Sequence, residues 1–387
     1  MKPTEEHIRK IGVARYFKDE SPKSIYTSLN RSKQWLFKWI KRSESGDEDW
    51  YINRSRAPNH PQSIDNEVRE EILRTRDRFE HEHLFCGAQS ILWQLQEERW
   101  SNLPSISTIN RILKNNNRIK RRSGPYQPKG KVYPALPGAL PNQVHQADFL
   151  GPRYLKGPIR FYSLNIVDVA TKRGAARPVP NRIITTTTKA LWSIWFSLGI
   201  PDFLQFDNEL VFRGSNRYPR ALGGLIRLCL LFDVEPIFIP VSEPWRNSIV
   251  ENFNLQLQDK WLRKTIMRTW EELREGASQF EKKHNSLYRY SKLKGKTPLQ
   301  ALESFNRSLR FPESTEPPEK LEKPTKGKVH LMRFIRSNRK LNIFGEEFSV
   351  NPDLVYEYVR ATIYVKEQKL KLYQDSKLAQ VFDYALI

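Results

Sequence analysis

The chain has 387 residues, 39% of them hydrophobic, so it can bury a sizeable core, and about 150 residues per domain gives two or three domains. Its net charge is +22, and its two cysteines, Cys86 and Cys229, lie far apart. The cysteines exclude a disulfide framework or a zinc ribbon, and no apolar run approaches the ~18 residues of a membrane span.

The charge excess is spread over the chain. Residues 1–143 hold 26 basic against 17 acidic residues, residues 144–309 hold 25 against 15, and residues 310–387 hold 14 against 11. An extended polyanion contact, with nucleic acid first, fits that distribution, and solubility alone is the other reading. The first residues, MKPTEEHIRK, have no apolar stretch of a secretory signal, so a reducing, cytoplasmic compartment is expected.

Residues 5–42 read as three helices. Pro22 suits the first turn of the second, Asn30-Arg31 makes a tight turn, and Ser32 caps the third, SKQWLFKWIKR. Leu36, Trp39 and Ile40 point inward, and Lys33, Gln34, Lys38, Lys41 and Arg42 stay outside. This helix–turn–helix layout over 1–52 would put the third helix in a DNA major groove, unless it is a packing unit with a solvated basic face.

A polar linker, NRSRAPNHPQS, follows. Residues 63–122 make a second helix–turn–helix candidate. Ser105 or Ser107 starts its last helix, with Ile109, Ile112 and Leu113 inward and Thr108, Asn110, Arg111 and Lys114 left for DNA. His81, His83 and Cys86 lie close together but lack a second ligand pair, so a structural role is expected. Residues 123–142 are a proline-rich, basic linker, and Arg121 and Arg122 begin an arm that can follow a phosphate backbone.

From residue 143 to 309 the pattern is α/β. VHQADFL, RFYSLNIVDVA, KRGAARPVP, DFLQFDN and EPIFIP read as strands. TTTTKALWSIWFSLGI, residues 217–233, the stretch up to Trp261, and residues 270–309 read as helical. A mixed sheet with helices on both faces follows. After a second proline-rich linker, five short β runs over 328–387 suggest a small β-barrel.

In WRNSIVENFNLQLQDKW, Val250, Phe253, Leu257 and Trp261 form one apolar stripe, and Glu251 lies off it. Asp148 follows an apolar run in VHQADFLGP, and Asp207 sits in the buried-looking FLQFDNELVF. An unpaired carboxylate in such a strand is costly without a purpose. Phosphodiester chemistry needs charge neutralised on the attacking and leaving oxygens, which two divalent ions do, and hard ions take carboxylate oxygens. Three acids suffice if Asp148, on the central strand, bridges two ions held also by Asp207 and Glu251. Asp168, in NIVDVATK, competes for a metal role, but an acid before a turn more often caps it. Arg246, Asn247, Lys260 and Lys264 flank Glu251 as candidates for DNA contact or as a solvated helix face.

At these residues the sequence resembles the retroviral-integrase-like DDE superfamily, including bacterial insertion-sequence transposases. HQADFLGP is similar to the first-aspartate strand and FLQFDNELVF to the second, with Glu209 where Gly is usual. PWRNSIVENFNLQL is similar to the glutamate helix, and HNSLYRYSKLKGKTPLQALE to the segment that closes the core. The resemblance spans about 143–305 and implies an RNase-H-like core with Asp148, Asp207 and Glu251 catalytic. It further implies two Mg²⁺ per active site, for which Mn²⁺ can substitute. The partners it implies are double-stranded DNA and further copies of the chain, with an accessory ATPase or target-selection protein as an additional one. The setting would be the nucleoid of a bacterial cell. Forty-three residues separate Asp207 from Glu251, so an added loop is expected around RGSNRYPRALGG. Paired helix–turn–helix units, in place of a His/Cys zinc domain, look more like bacterial and phage-Mu-like transposases.

Overall fold

The computed structural model describes residues 4–54, 64–119, 133–134, 136–215, 217–218 and 220–387. The chain divides into two compact units, Met1–Ile64 and Asp65–Ile387.

In the first unit, α1 (Glu5–Tyr16), α2 (Pro22–Ser28) and α3 (Lys33–Ser43) pack around Val13, Ile25, Leu36, Trp39 and Ile40. The helix starts follow the local chemistry. Pro22 occupies the first turn of α2, Asn30 turns with φ 52°, and the Ser32 hydroxyl accepts from the Trp35 N–H at 3.2 Å. Arg9 is buried too, donating to the Tyr51 carbonyl and to Asn53 with its guanidinium 4.1 Å from the Trp39 ring centre.

The second unit opens with α4 (Asn66–His81), α5 (Ala88–Glu97) and α6 (Ile106–Asn115). Ser105 caps α6, and Ile109, Ile112 and Leu113 are its buried face. The strands β1 (Val144–Tyr154), β2 (Arg160–Asp168) and β3 (Gly174–Val179) follow as antiparallel neighbours. Next come α7 (Ile184–Leu198), β4 (Phe203–Phe206), α8 (Leu210–Arg213), α9 (Gly224–Leu231) and β5 (Glu235–Phe238). β4 is parallel to β1, and β5 to β4. Then α10 (Ser248–Leu257) runs into a wider π-helical turn over Gln258–Leu262, followed by α11 (Trp270–Leu287) and α12 (Pro298–Glu303).

Apolar residues of α7 and α9 pack on one face of the sheet, against Ala147, Leu164, Leu204 and Phe206. On the other face, Val250, Phe253 and Leu257 of α10 and Phe280 of α11 pack against Leu150, Val167 and Ala176. The expected helix over 217–233 is shorter, Gly224–Leu231, because Gly223 and Gly214 meet backbone to backbone before it. The expected helix over 270–309 is two helices, parted where Lys294 and Gly295 take positive φ.

The expected small barrel over 328–387 is a correction. The strands are β6 (Lys328–Phe334), β7 (Lys340–Ile343), β8 (Glu346–Ser349), β9 (Tyr358–Tyr364), β10 (Lys369–Gln374) and β11 (Lys377–Asp383). They do not close on themselves. β6 pairs in parallel with β5, through Ile237 with His330 and Phe238 with Leu331, so one open sheet runs β11-β10-β9-β6-β5-β4-β1-β2-β3. β7 and β8 form a separate hairpin. A shared core explains the joining, since Val329, Leu331, Ile343, Phe344 and Ile363 belong to the same apolar cluster as Trp195, Phe206 and Phe238.

Candidate active site

Register sets the two aspartates side by side. β1 and β4 are parallel with Gln146 opposite Gln205, so Asp148 and Asp207 are each two residues further along. Successive side chains of a strand alternate faces, so Asp148, within β1, projects on the same side as Gln146, and Asp207 directly follows the last residue of β4.

Those glutamines bring the glutamate helix to the aspartates. Gln146 Oε1 accepts from the backbone N–H of Ile249 (3.0 Å) and Val250 (3.3 Å). Gln205 Nε2 donates to the Arg246 carbonyl (3.0 Å) and to Asn247 Oδ1 (3.1 Å). Asn247 Nδ2 donates to the Ala147 carbonyl at 3.0 Å. The first turn of α10 is thus bonded across β1 and β4, and Glu251 is the next residue. One turn later, Asn254 Nδ2 donates to Asp148 Oδ2 at 2.7 Å. Asn254 Oδ1 accepts from Asn165 Nδ2 at 2.6 Å, and Asn165 Oδ1 accepts from the Ser163 hydroxyl at 2.7 Å. This buried chain of amides ends on the Asp148 carboxylate, and each member is satisfied by the next.

Asp148, Glu251, Asn254, Gln258 and Arg153 line an open cleft of about 350 Å³. Burial, and then repulsion from Asp207, Glu209 and Glu251, pushes the Asp148 carboxyl up to about 7, against the pull of the Phe149 N–H. Burial pushes Asp207 up to about 6, opposed by the Glu209 N–H, which donates to Asp207 Oδ1 at 2.9 Å. Burial also raises Glu251. Glu209 is ion-paired with Arg182, whose guanidinium lies 5.0 Å from the Tyr162 ring centre.

Carboxylate oxygens that repel one another outside any ion pair have the chemistry a hard divalent cation satisfies. Among the described residues, neither Asp148 nor Asp207 nor Glu251 is in an ion pair. Among the same residues, no three His, Cys, Asp or Glu side chains form a group that could hold a metal ion. Asp148 and Glu251 share the cleft, while Asp207 reaches Asp148 through its field and lies outside the cleft's lining.

Asp168 caps a turn. Buried, it accepts from the Asn142 N–H (3.0 Å), the Thr171 N–H (2.9 Å) and the Thr171 hydroxyl.

The expected DNA contacts separate by environment. Lys33, Gln34, Lys38 and Lys41 are exposed on α3, but Arg42 folds back to donate to the Ile52 carbonyl. Asn110, Arg111 and Lys114 are exposed on α6, and Thr108 is half-buried beside its Ser105 cap. Arg121 and Arg122 lie outside the described residues. Lys260 donates to the Leu84 carbonyl at 2.8 Å, and Lys264 bonds His83 at 3.0 Å. Arg246 is ion-paired with Glu243 and lies over Tyr133. Asn247 is a correction: it is buried with its amide bonded to Ala147 and Gln205, so it holds the loop and does not face solvent.

The sequence reading missed Gln146, Asn165, Gln205 and Asn254. For Gln146, Asn165 and Gln205 the available signal was a lone amide inside each apolar strand, in VHQADFL, SLNIVD and FLQF.

Asp148 thus lies within β1, Asp207 directly follows β4, and Glu251 lies on α10, whose start is bonded to both strands. Residues 232–298 match the family model described as Integrase core domain, which supports the integrase-like superfamily resemblance. That segment contains Glu251 and neither aspartate. The HTLV-2 integrase catalytic core domain in complex with magnesium (dimeric form) aligns at 20% identity over 43% of this chain and 99% of that chain, TM-score 0.34. The simian T-cell lymphotropic virus intasome in complex with PP2A regulatory subunit B56 gamma aligns at 16% identity over 81% of this chain and 97% of that chain, TM-score 0.38. No curated protein matches the chain. No helix among the described residues is long and apolar enough to cross a membrane.

Proposed function

We propose that the chain is a DDE transposase with an RNase-H-like core. It binds its element's ends through the helical units around α3 and α6, cuts a strand, and joins the freed 3′ hydroxyl to target DNA. It does so as a multimer that pairs two ends. The observation that supports this reading is that Asp148 and Glu251 line one cleft and that burial, with repulsion from Asp207, Glu209 and Glu251, pushes the Asp148 carboxyl up to about 7. Asp148, Asp207 and Glu251 would hold the divalent ions. When bound, these ions supply charge neutralisation at the attacking and leaving oxygens. The chain's own amides do the positioning: Asn254 orients the Asp148 carboxylate, and Gln146 and Gln205 hold the helix start that carries Glu251.

The test is strand transfer with Mg²⁺ and duplexes taken from the DNA on either side of the reading frame. Asp148→Asn should abolish joining, and undiminished joining would overturn the assignment. A non-catalytic DNA-binding regulator is the second reading. The lack, among the described residues, of a three-acid group able to hold an ion favours it. Metal-dependent nicking by the parent chain separates the two.

A further inference from the structure

The turn that carries Asp207 is gripped from the far end of the sequence. Arg333, on β6, is buried, and its guanidinium donates to Asn208 Oδ1 (2.9 Å) and to the carbonyls of Ile239 (3.2 Å), Met332 (2.9 Å) and Asn342 (3.2 Å). Asn208 directly follows Asp207, and its Nδ2 donates to the same Ile239 carbonyl at 2.6 Å. Asn208, Arg333 and the end of β5 therefore close a three-way clamp.

Arg333 forms no ion pair among the described residues. A buried guanidinium without a carboxylate is costly, and a packed apolar side chain would be cheaper if filling space were its only task. A second grip comes from β9. The Tyr358 hydroxyl donates to Glu243 Oε1 at 2.7 Å, and Arg246 donates to Glu243 Oε2 at 3.0 Å. This holds the loop that enters α10.

We propose that the C-terminal strands complete the active site, with Arg333 a positioning residue that fixes Asp207 through Asn208. This rests on the metal-dependent reading above. Partners that orient the ligands of a metal change its affinity about 10- to 100-fold when removed.

The experiment is a Mn²⁺ titration of the full chain, following free Mn²⁺ by electron paramagnetic resonance, alongside binding of a mixed-sequence DNA duplex at low salt. Arg333→Lys keeps the charge but cannot reproduce the forked contacts. Arg333→Lys and Asn208→Ala should each weaken Mn²⁺ binding about tenfold, the pair together no more than either alone, and DNA affinity should stay within about twofold of the parent. If Arg333→Lys does not fold, Asn208→Ala alone decides. Mn²⁺ affinity within about twofold of the parent in a folded variant, or losses that simply add, would overturn the proposal. A parent chain that binds no Mn²⁺, or binds it equally after Asp148→Asn, would instead overturn the functional reading.

Discussion

Asp148 stands where its neutral form is favoured, at about 7 against an ordinary 3.8. The folded chain therefore binds an extra proton between those values. The stability this adds is fully present below the unfolded value and is lost as pH rises towards about 7. Without divalent metal, Asp148→Asn should melt higher than the parent at about pH 8, with the gap closing by about pH 4. A series of thermal melts checks this; equal melting temperatures across the range would contradict it. Asn254 is the complementary case. Asn254→Ala removes the bond to Asp148 and leaves the buried Asn165 Nδ2 without its acceptor, so a loss of about 2 kcal/mol is expected by chemical denaturation.

At the scale of elements, α10 lies close on the sheet because Gly174 on β3 has no side chain. A Cβ there would enter the Phe253 ring, and Asn285 of α11 already brackets the Gly174 peptide at 2.9 Å on both sides. Gly174→Ala should shift α10 and cost about 1–3 kcal/mol. Phe253→Leu in that background should recover part of the loss, measured by denaturant midpoints. No recovery would mean that the ring is not what the new methyl meets. Much of this level was legible in the sequence. The caps at Ser32 and Ser105, the inward faces of α3 and α6, and the turn role of Asp168 each follow from local chemistry. What was not legible depends on partners distant in sequence. Nothing near Gln146 says that its amide meets Ile249, and nothing in WRNS says that Asn247 is buried under Ala147.

Over the whole molecule, the final strands illustrate the same limit. Alternating apolar residues in VHLMRFI and YEYVRATIYV specify strands but not what they pair with. A barrel and a sheet extension share that pattern, and the decision lies in β5, whose edge accepts β6 through two residue pairs. Residues 65–387 should therefore unfold as one cooperative transition. Removing 328–387 exposes the β5 edge and the apolar residues that packed against the final strands, so the shortened chain should lose that transition and aggregate, as followed by calorimetry and light scattering. Retention of a sharp transition at the original midpoint would show the final strands to be dispensable.

The most direct measurement is calorimetric titration of the full chain with Mn²⁺, for the parent and for Asp148→Asn, Asp207→Asn and Glu251→Gln in turn. Three carboxylates sharing cations predict that each single change removes or sharply weakens the binding heat. Full binding after Asp207→Asn, with loss only for the two acids that line the cleft, would contradict the trio.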